Sequence, residues 1–532
     1  MVNFLDNGNK AYRLFRTERF LKKEKKLTDT IKRTKIPLWL PNKIKDNAEK
    51  KAVDNKTLIM NLGKGQKKMD IARDISLQEI LKYDILPDCS LFDNIGIRPH
   101  KIYEMLKPLE SVLKENDYKL NMNLDISTAL IIDFMSMIRK VPFRLNNNIK
   151  EALESLWSTV MSIGTVKVIH IVYDSYLEFS IKESERVHRS ENVIPVDIVR
   201  LGLDSVILVD LSSFWSSSRN KEQLQVASSS RFFRGKATVL DLDLTLSGCV
   251  ADAIGRHPAE HIVHVVVKEV PELLSGIEEA DLRIIPHTAN AIQAGIKRAV
   301  VVSTDTDVVM YTLAHYQNFN ELGVKEVWVR FGSKDNRQNI PISKLAHHYG
   351  ATKSKALAKA YFGTGCNPLI KVGSKASAYK SEPENYLQNF GTESKNDADF
   401  EAAERFLVRV VDPRSNCDTF DELRYQMYKN KEKSINELPP TSAAIHAHLL
   451  RRHYVTHLNL NVLENPSIEL DPVDYGWTFE NGLLEPVKNL VQIPPEFVIR
   501  CKCKAGCKRS CGCKRAQEKC TLYYGCKDCV NM

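Results

Sequence analysis

The sequence predicts an α/β protein: a mainly parallel open sheet flanked by helices, followed by a helical region and a small Cys-rich tail. Three observations predict it. From about residue 125, short β-branched runs alternate with helical stretches. Acidic residues close several of those runs. Eight of the 12 cysteines fall in the last 32 residues.

The runs are ALIID (129–133), VKVIHIVYD (166–174), SVILVD (205–210), HIVHVVV (261–267), AVVVS (299–303) and VKEVWVRF (324–331). Continuous apolar runs of this length suit strands buried on both faces of a parallel sheet. Candidate helices lie between them near 147–162, 218–228, 278–295 and 306–317. That alternation is the signature of an open α/β sheet. Pro286 falls inside the third helix and predicts a kink or a shortening there. Residues 341–380 read as short helices punctuated by glycine, and 398–457 as further helix, with AAERFLVRVV and AAIHAHLLRRHYVTHL the clearest pieces. The division that follows is a basic N-terminal and helical region over 1–120, the α/β domain over 121–385, a helical extension and linker over 386–495, and the Cys-rich module over 496–532.

Charge is distributed as unevenly as cysteine. The net charge is +10. Residues 1–60 carry a net +9 and residues 501–532 a net +6, so the other 440 residues carry a net −5. An acidic body with basic ends predicts a polyanionic partner for the ends, and a salt-dependent one. For the first 60 residues a solvated segment is an equal expectation. No apolar stretch approaches the roughly 20 residues a membrane-spanning helix needs. The N-terminus also lacks the apolar core of a secretory signal. The expectation is a protein that is not secreted and has no membrane partner. The basic run at 22–26 and the tail point to the nucleus. Cys89, Cys249, Cys366 and Cys417 are scattered and read as small core residues.

The acids carry the chemistry. Asp133 ends the first run and Asp174 the second. Asp305 and Asp307 follow AVVVST, and Glu278-Glu279-Ala280-Asp281 opens a helix. Ligands of open α/β sheets bind beyond the carboxyl ends of the strands, so these acids share one edge. In extended chain, Asp305 and Asp307 would point to the same side. Clustered carboxylates repel one another unless a hard cation such as Mg²⁺ or Mn²⁺ neutralises them. Taken singly, each acid is more readily a helix N-cap or loop residue after a strand than a metal ligand, and it is the set at strand ends that points to metal.

The segments IIDFMSMI, VYDSYLEFSIKESERVHR, FWSSSRNKEQLQ, EEADLRIIPH, STDTDVVMYTLAHY, KAYFGTGCNPLIKVGSKASAYK and LPPTSAAIHAHLLRRHY, in that order and spacing, resemble the PIN-like superfamily. This superfamily includes flap endonucleases and 5′→3′ exonucleases. The similarity extends to animal proteins, often associated with mobile elements, that join a PIN-like domain to a Cys-rich tail. The resemblance implies a PIN-like fold and a nuclease using carboxylate-held Mg or Mn. It implies metal-site and catalytic roles for Asp133, Asp174, Glu279, Asp281, Asp305 and Asp307. It also implies a phosphate-holding hairpin at VGSKASAYK, with Gly373, Lys375 and Lys371 on the nucleic-acid backbone. Asn367 stands where a further metal-site Asp is expected. An amide there ligates without adding charge. Asn367 and Pro286 keep open a second reading, a catalytically inactive PIN-like nucleic-acid-binding protein derived from a mobile element.

The tail reads Cys501-x-Cys503-x3-Cys507-x3-Cys511-x-Cys513-x6-Cys520-x5-Cys526-x2-Cys529. Eight thiols in a chain without a secretory signal argue for zinc rather than disulfides. So short a segment buries no core of its own, and metal would supply most of its folding energy. A disulfide knot or a metal sink is the bland alternative. The spacing resembles the tesmin/TSO1-like CXC module, which binds zinc and contacts DNA. That resemblance implies phosphate contacts from Lys502, Lys504, Lys508, Arg509, Lys514 and Arg515, and groove contacts from Tyr523 or Tyr524. Tyr524 occupies the place of a ninth cysteine. DNA is the expected partner ahead of RNA.

Overall fold

In the computed structural model the chain forms two compact units, Met1–Val53 and Asp54–Met532. The residues described are 78–83 and 109–487, less 121–126, 142–147, 163–165, 167, 177–179, 183, 185–195, 208–210, 236–242, 247–248, 255–263, 270–272, 274–276, 332–337, 365–381, 394, 431–437, 465–469 and 481. All of them belong to the second unit.

Among the described residues one large sheet is built from β1 (Thr128–Asp133), β2 (Val168–Val172), β3 (Asp243–Leu246), β4 (Cys249–Ile254), β5 (His264–Glu269), β6 (Arg298–Val302), β7 (Glu326–Phe331) and β8 (Gln338–Pro341). Its spatial order is β5-β4-β3-β2-β1-β6-β7-β8. The inner strands β3, β2, β1, β6 and β7 are parallel to one another. Strands β4, β5 and β8 add antiparallel margins. The α/β class is therefore present, with a parallel centre and mixed edges. Sequence order runs outward from β1 to β2 and β3 on one side, and from β6 to β7 on the other. The direction of winding reverses between β1 and β6.

The side chains of the central strands alternate between two cores, as a period of two requires. Ala129 and Ile131 of β1 and Ala299 and Val301 of β6 join one core, with α5 (Ala280–Gln293), α6 (Asp307–Ala314) and α8 (Ile342–Thr364). Leu130 and Ile132 of β1 and Val300 and Val302 of β6 face the other. There α1 (Phe134–Ile138), α2 (Ile149–Met161), α3 (Leu211–Ser216) and α4 (Ser218–Gly235) cover the sheet. Full burial on both faces explains why these strands read as unbroken apolar runs. After β6, α7 (Tyr316–Glu321) follows α6 and leads into β7. Helix α8 turns sharply at Gly350, whose φ of 76° favours a residue without Cβ.

Beyond the sheet, α9 (Pro383–Tyr386), α10 (Asp397–Val411), α11 (Phe420–Lys429) and α12 (Ser442–Leu460) enclose a third core around Phe406, Phe420 and Leu449. Side-chain caps start three of these helices where the sequence offers Asn or Thr: Asn396 for α10, Thr419 for α11 and Thr441 for α12. A hairpin of β9 (Trp477–Glu480) and β10 (Leu483–Pro486) closes the described chain. Among the described residues no helix is long and apolar enough to cross a membrane.

Some expectations are corrected. Residues 205–207 of SVILVD do not join the sheet, and Val206 makes only an isolated antiparallel bridge to Asn148. The run at 261–267 contributes β5, but as an antiparallel edge strand rather than a parallel central one. Strands β3, β4 and β8 were not anticipated by the apolar-run reading, because they are short or carry polar residues within them. Pro286 does not shorten its helix, which runs unbroken from Ala280 to Gln293. Proline there forgoes one backbone hydrogen bond at a cost of about 3 kcal/mol. Burial of Ile284, Ile285, His287 and Thr288 offsets that cost.

Candidate metal centre

Asp133 is the last residue of β1 and the N-cap of α1, accepting the Ser136 N–H at 3.1 Å on Oδ1. Asp174 lies two residues beyond β2, and its Oδ1 accepts the Ala280 N–H at 2.9 Å, which caps α5 from outside. Glu279 is the N-cap residue of α5 and Asp281 lies in its first turn. Helix α5 is pinned to β2 by two buried contacts. Arg283 Nη1 donates to the Tyr173 carbonyl at 3.0 Å. The His170 and His287 Nδ1 atoms are 3.1 Å apart. Burial pushes the His170 imidazole down to about 3 and His287 well below its ordinary range, so both rings are neutral and one donates to the other.

Asp305 and Asp307 follow β6. The chain there is not extended, as the same-side argument requires. Thr306 has helical backbone angles and Asp307 is the first residue of α6. Asp305 Oδ1 accepts the Asp307 N–H at 3.0 Å. The two carboxylates meet through a tight turn instead.

Ser303 ties the set together, and sequence reasoning missed it. Its buried hydroxyl lies 3.2 Å from Asp133 Oδ2 and 3.5 Å from Asp281 Oδ1, and accepts the Asp305 N–H at 3.1 Å. One hydroxyl proton serves two carboxylates, so one acid of that pair is left without a full partner. Tyr361 of α8 was missed as well. Its hydroxyl donates to Asp307 Oδ1 at 2.5 Å and lies 3.2 Å from Thr306 Oγ1. Lys182 pairs with Glu279, and Arg452 of α12 donates to the Phe362 carbonyl. Ser303 announced itself only by its place before Asp305. Tyr361, Lys182 and Arg452 gave no local signal.

The electrostatics join all six sequence-predicted acids in one field. Burial pushes Asp133 up to about 6, with the Asp174 charge adding to it, against the Ser136 and Ser303 hydrogen bonds. Burial, then Asp133, Asp305, Glu279 and Asp307, hold Asp281 well above the usual carboxylate range. Burial and Asp305 push Asp307 up to about 7, opposed by Tyr361 and by the positive charge of Arg452. The cluster stands at the carboxyl ends of β1 and β6, where the winding reverses. That is the general ligand position of an open α/β sheet.

The donor set is all hard oxygen, partly buried and mutually repelling, and it fits a hard divalent cation. Among the described residues, however, no three His, Cys, Asp or Glu side chains already stand in a metal-ligating arrangement. The N-cap reading holds in part, since Asp133 and Asp174 do cap helices. Asn367, Gly373, Lys371 and Lys375 lie outside the described residues, as do all eight tail cysteines and the tail residues Lys502, Lys504, Lys508, Arg509, Lys514, Arg515, Tyr523 and Tyr524. Cys417 is a buried free thiol in the third core, as a small core residue would be.

No protein-family model matches the chain, and no curated protein matches it. Among solved structures the chain is similar to the T5 D15 protein co-crystallised with metal ions, at 11% identity and a TM-score of 0.27, over 64% of this chain and 100% of that one. It is also similar to the bacteriophage T5 D15 flap endonuclease in a pseudo-enzyme–product complex with DNA and metal ions. That match has 12% identity and a TM-score of 0.27, over 61% of this chain and 99% of that one.

Proposed function

We propose that the protein is a metal-dependent nuclease that cleaves nucleic-acid phosphodiesters, DNA ahead of RNA. The observation that carries this reading is the gathering of acids at the reversal between β1 and β6, where the Ser303 hydroxyl lies within 3.5 Å of both Asp133 and Asp281, and where burial, with neighbouring carboxylates adding to it, drives Asp133, Asp281 and Asp307 toward protonation. A fold does not retain such repulsion for stability. Mg²⁺ or Mn²⁺ bound there would polarise a phosphoryl oxygen and lower the pKa of a water. Asp133, Glu279, Asp281, Asp305 and Asp307 supply the oxygens, and Asp174 fixes the start of α5. Ser303 orients Asp133 and Asp281.

The remaining parts of the reading rest on sequence. The 121–385 region is the nuclease domain, 386–495 its helical extension and 496–532 a zinc module. The Cys501–Cys529 set holds zinc, and the surrounding Lys and Arg side chains hold DNA phosphates. Gly373, Lys371 and Lys375 hold the substrate backbone. A second contact of this kind raises local substrate concentration without a new catalytic group. A nuclear setting fits the two basic ends.

The test is cleavage of flap, single-stranded and duplex substrates with Mg²⁺ or Mn²⁺, comparing the wild type with Asp305→Ala/Asp307→Ala. Metal-dependent cutting that the double variant loses is the expected result. A second reading, an inactive nucleic-acid-binding protein, is favoured by one observation. Protein donors already occupy Asp133, Asp174 and Asp307. Intact DNA binding with no cutting of any substrate would establish it over the first.

A further inference from the structure

We propose that the protein has a second binding site, a cleft between α7 and α8 that takes one unpaired pyrimidine base of a nucleic-acid strand. This site rests on the nucleic-acid partner of the reading above and draws on none of the acids.

The cleft lies where the end of α6 and the start of α7 meet α8. Its volume is about 180 Å³, and Leu313, Ala314 and Ala346 give it apolar surface. That is close to the roughly 150 Å³ that takes one benzene ring. It falls short of the roughly 300–1,000 Å³ of a site for a larger ligand. Helix α6 carries the chain roughly 10 Å from Asp307 to Ala314, so the cleft is separate from the acids.

The turn in α8 opens it. Gly350 lines the cleft at φ 76° and ψ 165°, and open space stands where a Cβ would be. The same turn costs Ser354 its ordinary partner. A buried helical serine can return its hydroxyl to the carbonyl four residues back. Here that carbonyl belongs to Gly350, whose backbone is not helical. Ser354 lines the cleft, is 2% exposed, and its hydroxyl has no hydrogen-bond partner among the described residues. A buried hydroxyl in that state is a standing cost that a ligand removes.

The rest of the lining fixes the class of ligand. Among the described residues, no acid, lysine or arginine lines the cleft, so an anion finds no counter-charge inside. Tyr316 and His347 line it with their rings edge to face, centroids 5.5 Å apart. Splayed-out bases pack on such rings. Gln317 and Asn320 add amides one turn apart on α7. Gln317 already donates to Glu321 at 2.9 Å, which leaves its oxygen to accept. An apolar ring would leave Ser354 unanswered. A neutral flat ring with donors and acceptors along its edge answers the whole lining, and a pyrimidine base is such a ring. It must be unpaired, because pairing occupies that edge. Lys355, next to Ser354, is exposed, and its charge reaches His315 between Ala314 and Tyr316. It suits the phosphate attached to the base.

The experiment is photocrosslinking of the full chain, zinc-loaded and without added Mg²⁺ or Mn²⁺, to a single-stranded oligothymidylate carrying one 5-iodouracil. Mass spectrometry reads the joined peptide. Attachment to Tyr316 or His347 is the expected result. Gln317→Ala/Asn320→Ala lowers that yield about tenfold, the scale of losing one good base-edge contact. Ala351→Phe, which fills the cleft from an exposed position, abolishes it. The same strand in a duplex gives none, and free uridine at equal concentration leaves the yield unchanged. No attachment at the cleft, or an unchanged yield in Ala351→Phe, overturns the proposal and leaves the nuclease reading standing. Full competition by free uridine assigns the cleft to a nucleoside and overturns the strand. Absence of metal-dependent cutting with the crosslink intact overturns the nuclease reading alone.

Discussion

Around α12, His453 receives the Gly391 N–H at 3.2 Å on Nδ1 and contacts the Thr392 carbonyl at 2.8 Å through Nε2. Arg424 spans from α11 to the carbonyls of Leu81 and Pro439. Arg451 reaches those of Gly476 and Val487. Each of these buried polar groups is answered by a neutral partner of opposite polarity. At the carboxyl edge of the sheet, Asp133, Asp281, Asp305 and Asp307 face groups of their own sign. At these positions the helical layer matches its buried polar groups, whereas the sheet edge accepts a free-energy penalty.

The comparison breaks most visibly in activity. Asp305→Ala/Asp307→Ala is expected to lower single-turnover cleavage by about 10³-fold or more, the scale of removing charge-stabilising groups from a reacting centre. Its unfolding free energy should hold or rise. A parallel loss of fold in chemical denaturation would make these acids structural instead.

In the helical layer the largest effect is on stability. A Cβ on Gly391 would stand 2.6 Å from Thr456 Cγ2, at a φ of 78°. Gly391→Ala should cost roughly 3–4 kcal/mol, from strain and overpacking together. Urea titration measures it.

The pH dependence sharpens the contrast. Asp133 is raised from 3.8 to about 6 in the folded state, so the fold binds a proton more tightly than the unfolded chain does. Its contribution to stability is present below about pH 4 and is lost as the pH rises through about 6. Asp307, raised to about 7, extends the loss upward. Metal-free protein should therefore gain about 3 kcal/mol as the pH falls from 8 to about 5. Saturating Mg²⁺ should flatten that slope. Thermal unfolding across pH, with and without metal, measures both. The smallest effect is that of Asp281→Asn, which relieves repulsion at nearly constant shape. It should stabilise the metal-free protein by about 1 kcal/mol and remove the response to Mg²⁺.

What the sequence made legible follows the physics of burial. Strands β1, β2, β6 and β7 are buried enough that their β-branched runs stand out, and the acids closing two of them were visible by position alone. Asp243-Leu-Thr-Leu alternates over four residues and left no such run. Gln338–Pro341 ends in a proline that only an edge strand tolerates. The apolar run at 205–207 misled because hydrophobicity marks burial and not sheet membership. Tyr361 and Arg452 reach Asp307 from 54 and 145 positions away, a juxtaposition that only tertiary packing creates. Pro286 misled in the opposite direction, because local propensity gave way to the packing of α5.

The register of the central pair has a consequence for how the molecule is made. Thr128 of β1 lies beside Arg298 of β6. Translation at ordinary speed separates these residues by on the order of 10–30 s. Through that interval β1 has no β6 to pair with, and its apolar edge is open. Asp133 meanwhile stands apart from Asp305 and Asp307. A chain halted before β6 has no assembled carboxylate cluster, and one halted before α12 lacks Arg452. Any activity of the assembled acids is therefore withheld until β6 and the turn after it have been made.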